Sequence, residues 1–454
     1  MFATDDTIVA IATPPGRGGI GVVRVSGPEA VGIAGRLLRR DEPLVPRQAT
    51  FARVFEPGVD GPLDHVVATW FEAPHSYTGQ DVVELSGHGS PVLLGRIVEL
   101  AVSDGARLAE PGEFTLRAYL NGRLDLAQAE AVADLVNAVT PLQARAAMDQ
   151  LEGTLTSVIA GIDAALFDLG ARLEASLDFP DEGFHFVERD EVMSELAGIE
   201  ARLVRLAEDG RAGRVVREGR TVAIVGRPNA GKSSLFNALA GAARAIVTDV
   251  PGTTRDLVTE RVDIEGLAVT LVDTAGLREA RDAIEAEGIA RARQAQSVAA
   301  LTLVVLDGSA EIDSEDLALI GPGGAGRDAV VVRSKADLPA VWLDIPGTPA
   351  VNLIPVSAVT GAGLSELRRH LAATLTNREE LRDTPMISNV RHLALVDIAF
   401  DAVRLALESV KSGATEELVL AELTRARDAL EEITGRRTTD DLLHHIFTRF
   451  CIGK

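Results

Sequence analysis

The spacing of hydrophobic positions changes character several times along this chain. Up to about residue 122 they fall in short runs rich in β-branched residues, TIVAIAT, GVVRVSG, HVVATWF and DVVELSG, set off by glycine and proline. With a helical stretch at SPVLLGRIVELAVSDG, residues 1–122 are predicted to form an α+β domain. Across 123–219 the pattern becomes alanine-, leucine- and glutamate-rich with helical period (DLAQAEAVADLVNAV, IDAALFDLGARLEASLD, MSELAGIEARLVRLAEDGR), which predicts helices. Residues 220–377 alternate strand and helix: TVAIVG, AVTLVDTAG, ALTLVVLDG, DAVVVRSKAD and NLIPVSA are apolar runs of parallel-sheet type, each running into a polar loop. Residues 378–454 return to amphipathic helices, IAFDAVRLALESV, ELVLAELTRARDALEEIT and DLLHHIFTRF. The likeness of the two helical blocks predicts that they pack together as one discontinuous domain, with a doubly wound, Ras-like α/β domain inserted between them.

Composition narrows the function classes. Forty-five Lys and Arg face 67 Asp and Glu, a formal charge of −22, so the bulk surface repels nucleic acid and acidic membranes, and contact with RNA needs a local basic patch or a partner. A single cysteine and eight histidines give no disulfide and no zinc spacing. The acidic N-terminus is unlike a signal peptide, and the longest apolar run, VAALTLVVL at 298–306, is short for a bilayer, so a soluble cytoplasmic protein without membrane contact is expected.

The chemistry is carried first by TVAIV running into GRPNAGKSS (226–234) and then SLFNALAG: a G-x-x-x-x-G-K-S loop between a strand and a helix. Gly226 and Gly231 let backbone N–H groups face phosphates, Lys232 reaches the β/γ oxygens and the Ser233 hydroxyl ligates Mg²⁺. In DTAG (273–276), Asp273 can hold Mg²⁺ through water and the Gly276 amide can meet a γ-phosphate, while Thr254 in TDVPGTTRD stands where a switch threonine completes the metal shell. SKAD (334–337) selects guanine, because Asp337 accepts two hydrogen bonds from a Watson–Crick edge that adenine lacks, and SAVTGAG (357–363) offers an amide to the guanine carbonyl. The nucleotide set is thus Asn229, Ala230, Gly231, Lys232, Ser233 and Ser234; Thr248, Asp249, Val250, Pro251, Gly252, Thr253 and Thr254; Asp273, Thr274, Ala275 and Gly276; Ser334, Lys335, Ala336 and Asp337; and Ser357, Ala358 and Val359. Residue 334 is serine where such loops usually carry asparagine; the shorter side chain predicts weaker nucleotide affinity rather than a change to ATP.

Leu277 follows DTAG where many GTPases place a water-orienting glutamine, so another group must align the water, and Glu285 and Glu287 are both available. The transferring phosphoryl also needs positive charge that an arginine often supplies. Asn229 and the oxygens of the TDVPGTT loop could instead cage a monovalent cation, preferably K⁺.

GRPNAGKSS, TDVPGTTRD, DTAGLRE and the terminal FCIGK, together with TPPGRGGIGVVRVSGP (13–28) and PGEFTLRAYLNGRLDLAQAEAVADL (111–135), closely resemble the bacterial and organellar tRNA-modification GTPases of the MnmE or TrmE family, along the whole chain. The resemblance implies K⁺-stimulated GTP hydrolysis on dimerisation of the G domains, with K⁺ on Asn229, Thr248, Val250 and Thr253 and Glu285 as the water-positioning carboxylate. It implies a homodimer whose N-terminal domain binds a 5-formyl- or methylene-type tetrahydrofolate through Arg24, Glu84 and Arg123, where many members carry lysine at the last position. It further implies a heterotetramer with an FAD-containing partner of the MnmG or GidA type, installing an aminomethyl-type group at carbon 5 of the wobble uridine of certain tRNAs. The partner would supply most of the grip on tRNA.

The tail closes the sequence. TTDDLLHHIFTRF starts with a cap-like Thr/Asp cluster and puts Leu442, Leu443, Ile446, Phe447 and Phe450 on one helical face, whose burial would anchor Cys451, Ile452, Gly453 and Lys454. Arg449 or Lys454 could lower the thiol's pKa, and in the family this tail lies near the folate, so Cys451 and Lys454 join the candidate site. GRGG (16–19) and SGHGS (86–90) are read as tight turns that help shape the folate pocket, and the adjacent His444 and His445 as a poor metal pair. Two rivals are a ribosome-assembly or translation-associated GTPase, which should carry a basic RNA module absent from both flanks, and a folate-dependent transferase with a regulatory GTPase.

Overall fold

The computed structural model describes residues 4–178, 188–241, 258–273, 299–320, 329–345, 353–376, 387–437, 439–448 and 450–453. The chain divides into two compact units: Met1–Val136 with Gln150–Arg202 and Leu395–Lys454, and Asn137–Asp149 with Leu203–Ala394.

The first unit is built on a six-stranded sheet of β1 (Ile8–Ile11), β2 (Gly18–Ser26), β3 (Thr50–Phe55), β4 (Pro62–Phe71), β5 (Val82–Gly89) and β6 (Arg107–Leu108), in the order β3-β4-β5-β2-β1-β6. All neighbours are antiparallel except β1 and β6. Alternate residues, such as Val23 and Val25 or Val83 and Leu85, form one core with helices α1 (Ala30–Leu37) and α2 (Pro91–Ser103). The four strands expected here are present, with β3 and β6 in addition.

The two glycine-rich stretches correct the sequence reading. GRGG runs into β2 and SGHG is the end of β5, so both lie in or beside paired strands. The register shifts between Gly18 and Gly21, and a Cβ on Gly89 would lie 2.5 Å from the Gly18 carbonyl oxygen. Glycine is required there by close strand approach at a bulge.

Helices α3 (Glu113–Leu120) and α4 (Leu126–Asn137) lead to α5 (Pro141–Leu151), α6 (Thr154–Asp178) and α7 (Arg189–Glu218). The C-terminal helices are α11 (Val390–Ser412), α12 (Glu416–Thr434) and α13 (Asp440–Phe447), after α8 (Lys232–Gly241), α9 (Ser314–Ile320) and α10 (Leu364–Leu375) of the second unit. Buried residues on α6 recur at Leu155, Ile159, Ile162, Leu166, Leu169 and Leu173, and on α12 at Val419, Leu423, Ala426, Leu430 and Ile433. This three–four spacing is that of helices packed nearly in line, and α6 and α12 do pack together, with Arg427 Nε 2.8 Å from Asp163 Oδ1. By length and composition alone Thr154–Leu177 would also pass for a membrane span, but its apolar positions include the buried face that packs on α12.

The second unit carries β7 (Arg220–Val225), β8 (Val258–Ile264), β9 (Leu267–Asp273), β10 (Leu301–Asp307), β11 (Ala329–Ser334) and β12 (Leu353–Pro355), in the order β12-β11-β10-β7-β9-β8. It is parallel apart from β8, an antiparallel edge strand that the sequence reading omitted. Leu301, Leu303 and Val305 meet α8 (Lys232–Gly241) and α10 (Leu364–Leu375) on one face, while Val304 and Leu306 face a second cluster that includes Leu319 of α9 (Ser314–Ile320). Burial on both faces explains why these strands read as continuous apolar runs. The chain order reverses between β7 and β10, and ligands of open α/β sheets bind beyond the carboxyl ends of strands at such a point.

Candidate nucleotide site and tail cleft

The phosphate loop leaves β7 at that reversal. A Cβ on Gly226 would lie 2.4 Å from the Val305 carbonyl oxygen, so only glycine lets the loop cross β10 this closely. Asn229 is exposed at its tip in the left-handed region, φ 63°, a conformation asparagine tolerates better than most residues. Lys232 is buried, and its Nζ donates to the Arg227 carbonyl at 2.7 Å, across the curl of the loop. Ser233 Oγ donates to Asp273 Oδ2 at 2.9 Å. Hydroxyl and carboxylate therefore meet beside the loop as two hard oxygen donors of the kind that suits Mg²⁺ with phosphate oxygens and water.

The base-reading loops converge on the same edge. Asp337 Oδ1 accepts from Ser357 Oγ at 2.6 Å, and Ser357 Oγ in turn accepts from the Thr360 amide at 3.1 Å, which fixes the carboxylate's plane. Lys335, at φ 56°, places Nζ 2.6 Å from Asp307 Oδ2. Burial pushes the Asp307 carboxyl up, but the bonds from Lys335 and Ser309 outweigh it and hold it below the usual carboxylate range. Ser334 Oγ lies 2.5 Å from the Ala230 carbonyl and 3.0 Å from that of Leu306, so the serine keeps a contact with the phosphate loop despite its shorter side chain.

One element was missed in the sequence. Arg227 pairs with Asp313 at 2.6 Å and with the buried Asp316 at 3.2 Å, tying the phosphate loop to the start of α9. The signal available was the D-x-x-D spacing at 313–316, a helix cap: the amides of Glu315 and Asp316 both donate to Asp313 Oδ1.

Thr248, Asp249, Val250, Pro251, Gly252, Thr253, Thr254, Thr274, Ala275, Gly276, Leu277, Glu285 and Glu287 lie outside the described residues, as do Arg449 and Lys454. Ser234 lies in the first turn of α8, Ala336, Ala358 and Val359 sit in the loops already named, and the Ala336 amide donates to the Val356 carbonyl at 3.2 Å.

In the first unit the tail closes a second candidate site. Leu443, Ile446, Phe447 and Phe450 are buried with Leu116, Leu126, Ala129 and Val132, and Leu442 is packed at their edge. The Thr439 hydroxyl caps α13 by accepting from the Leu442 amide. That anchors Cys451, which is exposed and whose carbonyl accepts from the Gly112 amide at 3.4 Å. Gly453 follows at φ 95°, and its carbonyl accepts from Arg24 Nη1 at 3.3 Å.

Arg24 and Glu84 are direct partners across β2 and β5, with Arg24 Nε 2.9 Å and Nη2 2.8 Å from Glu84 Oε1. The guanidinium also lies 5.4 Å from the Tyr77 ring centre and 5.6 Å from that of Phe114. Burial raises the Tyr77 phenol above its ordinary value, and its hydroxyl sits 2.8 Å from Thr115 Oγ1. Arg24, Glu84 and the tail thus come together, and two aromatics that the sequence reading did not single out flank them. Arg123 is exposed nearby in the chain's course: a Cβ on Gly79, two residues after Tyr77, would lie 3.3 Å from its Cγ.

Residues 7–123 match the family model for the GTP-binding protein TrmE N-terminus, and residues 126–451 match the MnmE helical domain. A tRNA modification GTPase MnmE from Koribacter versatilis is 46% identical over 454 residues, covering 99% of each chain. The chain belongs to the MnmE family. A second MnmE, from Hydrogenovibrio crunogenus, is 42% identical with 100% of both chains covered. Among solved structures, the G domain of the T. maritima FeoB iron transporter aligns at 27% identity over 34% of this chain and 98% of its own, with a TM-score of 0.27. The MnmE matches run continuously through both candidate sites, from the phosphate loop to the cysteine of the tail.

Proposed function

We propose that this chain is a K⁺-stimulated GTP hydrolase that, with an FAD-containing partner, modifies carbon 5 of the wobble uridine of certain tRNAs. The observation that carries the hydrolase reading is the Ser233–Asp273 contact of 2.9 Å beside a phosphate loop whose lysine is buried. Membership of the MnmE family supports the tRNA substrate.

In this reading Lys232 and the loop amides cradle the phosphates. Ser233, Thr254 and Asp273 would hold Mg²⁺, and the ion would supply positive charge to the β- and γ-phosphates. Asn229 with Thr248, Val250 and Thr253 would hold K⁺, which would supply the positive charge an arginine often gives, and Glu285 would align the attacking water. Asp337 and the 357–359 loop select guanine.

The cleft of Arg24, Glu84, Arg123 and the 451–454 tail takes the tetrahydrofolate derivative that supplies one carbon. Glu84 Oε1 is engaged by Arg24, and Oε2 has no partner among the described residues, leaving an acceptor for ring N–H groups of a pterin. Cys451 belongs to that site. The domains would be 1–122 for folate binding and dimerisation, 123–219 and 378–454 for the helical domain, and 220–377 for the G domain, working as a cytoplasmic homodimer that joins its partner in a heterotetramer.

The deciding experiment removes this chain from its cell and analyses wobble uridine in tRNA by mass spectrometry. The modified base should disappear and return with the wild-type chain but not with Asp273→Ala. Unchanged uridine modification would overturn the tRNA reading, and GTP turnover equal in K⁺ and Na⁺ would overturn the cation reading.

A further inference from the structure

Serine at 334 has a consequence beyond affinity. A hydroxyl carries one proton, and both polar atoms near Ser334 Oγ are acceptors: the Ala230 carbonyl of the phosphate loop at 2.5 Å and the Leu306 carbonyl of β10 at 3.0 Å. Residue 334 is buried, and among the described residues its hydroxyl has no other hydrogen-bond partner. The proton is therefore committed inward, between loop and strand, and none remains for a ligand.

N7 of a purine is also an acceptor and needs a donor. An asparagine at 334 carries two amide protons, enough to hold the Ala230 carbonyl with one and present the other to a base. The phosphate loop faces position 334 with Gly231, on which a Cβ would lie only at van der Waals distance, 3.5 Å, from the serine side chain. In the guanine reading, Asp337, whose carboxylate Ser357 holds, and the 357–359 loop address the Watson–Crick edge and the guanine carbonyl, not N7.

We propose that Ser334 makes this pocket indifferent to purine N7, so that guanine is read by its Watson–Crick edge while the side chain at 334 serves only to tie the phosphate loop to β10. The proposal rests on the guanine-nucleotide reading above. It assigns Ser334 a positioning role and removes it from direct contact with the base. One class of ligand distinguishes the two roles: a guanine nucleotide with carbon in place of N7.

The test is binding of GDP and 7-deaza-GDP, measured by calorimetry with Mg²⁺ on the full chain, for wild type, Ser334→Asn and Ser334→Ala. Wild type should bind the two ligands within about twofold of each other. Ser334→Asn should favour GDP by about 2- to 10-fold, the worth of one net hydrogen bond. Ser334→Ala should weaken both ligands equally. Wild type binding 7-deaza-GDP at least fivefold more weakly than GDP would overturn the proposal, and this comparison needs no variant to fold. ADP is the separate control: binding as tight as GDP would sink the guanine reading itself, and the proposal with it, whatever the 7-deaza result.

Discussion

The two candidate sites are built in opposite ways. The nucleotide site is assembled from short blocks at the carboxyl ends of parallel strands, and each block carries its own geometry: 226–233 after β7, Asp273 at the end of β9, 334–337 at the end of β11. The tail cleft joins Arg24, Glu84, Phe114 and Gly453, which meet only through strand register and the packing of a C-terminal helix. A site of the first kind survives so long as one domain folds. The second depends on contacts made across the whole length of its unit.

The largest effect that would break this contrast is at Asp273. Asp273→Ala removes the carboxylate that Ser233 meets, and turnover of GTP should fall by about 10²- to 10³-fold, the cost typical of losing one preorganised charge-stabilising group. Folate binding in the first unit, read by fluorescence or calorimetry, should be unchanged. Joint loss would mean that the two sites are not independently built.

Asn229 gives the next effect and needs a careful variant. At φ 63° an alanine would be strained as well as lacking the carboxamide, whereas Asn229→Gly removes the carboxamide without that strain. The glycine variant should lose about tenfold in K⁺-supported turnover, comparable to other single stabilising contacts, and should no longer distinguish K⁺ from Na⁺. Retained salt preference in steady-state assays would place the cation elsewhere.

Gly453→Ala is the counterpart in the tail cleft. At φ 95° with its new Cβ 2.3 Å from the Ile11 carbonyl oxygen, the tail must move off β1, at a cost of about 1–3 kcal/mol. Uridine modification should drop several-fold while GTP turnover of the same preparation stays within about twofold of wild type. Cys451→Ser leaves that backbone in place, so it isolates the thiol: a modification defect there, with normal melting, assigns chemistry to sulfur.

The same contrast decides what could be read from the sequence. GRPNAGKSS and SKAD were legible because their function is written in local backbone geometry, and the strands around them were legible because burial on both faces leaves unbroken apolar runs. β8 was not: VTERVDI alternates on an antiparallel edge and resembles a loop between stronger signals. SGHGS misled because glycine usually marks turns, whereas here it permits strands to approach at a bulge. Arg24 and Glu84 were reached only through resemblance. Their pairing is a matter of register, and Tyr77 and Phe114 beside them carry no spacing signal at all. Ser334 was correctly singled out as a departure, but its compensating bond to the Ala230 carbonyl is tertiary and could be found only in the structure.

The smallest expected effect is on acid stability, and it separates the two units once more. In the first, burial pushes the carboxyls of Asp6 and Glu113 up, but bonds from Arg107 and Arg117 outweigh it and hold both below their ordinary values. A carboxyl depressed in the folded state contributes stability above its unfolded pKa and loses it as pH falls through the folded value. Arg117 is buried, so protonating Glu113 leaves a poorly compensated cation inside, whereas Asp307 in the second unit, also depressed, faces a partly exposed Lys335 that water can serve. The two tryptophans report separately, Trp70 from β4 and Trp342 from beside Asp307, where its Nε1 donates to the Asp307 carbonyl. Urea midpoints followed through Trp70 in Trp342→Phe and through Trp342 in Trp70→Phe should both fall between about pH 5 and pH 3, the usual carboxylate window, and the Trp70 midpoint should fall further. Equal falls would show that the buried arginine is no more sensitive to acid than the exposed lysine, and that the Asp6–Arg117–Glu113 cluster contributes no special acid lability to its unit.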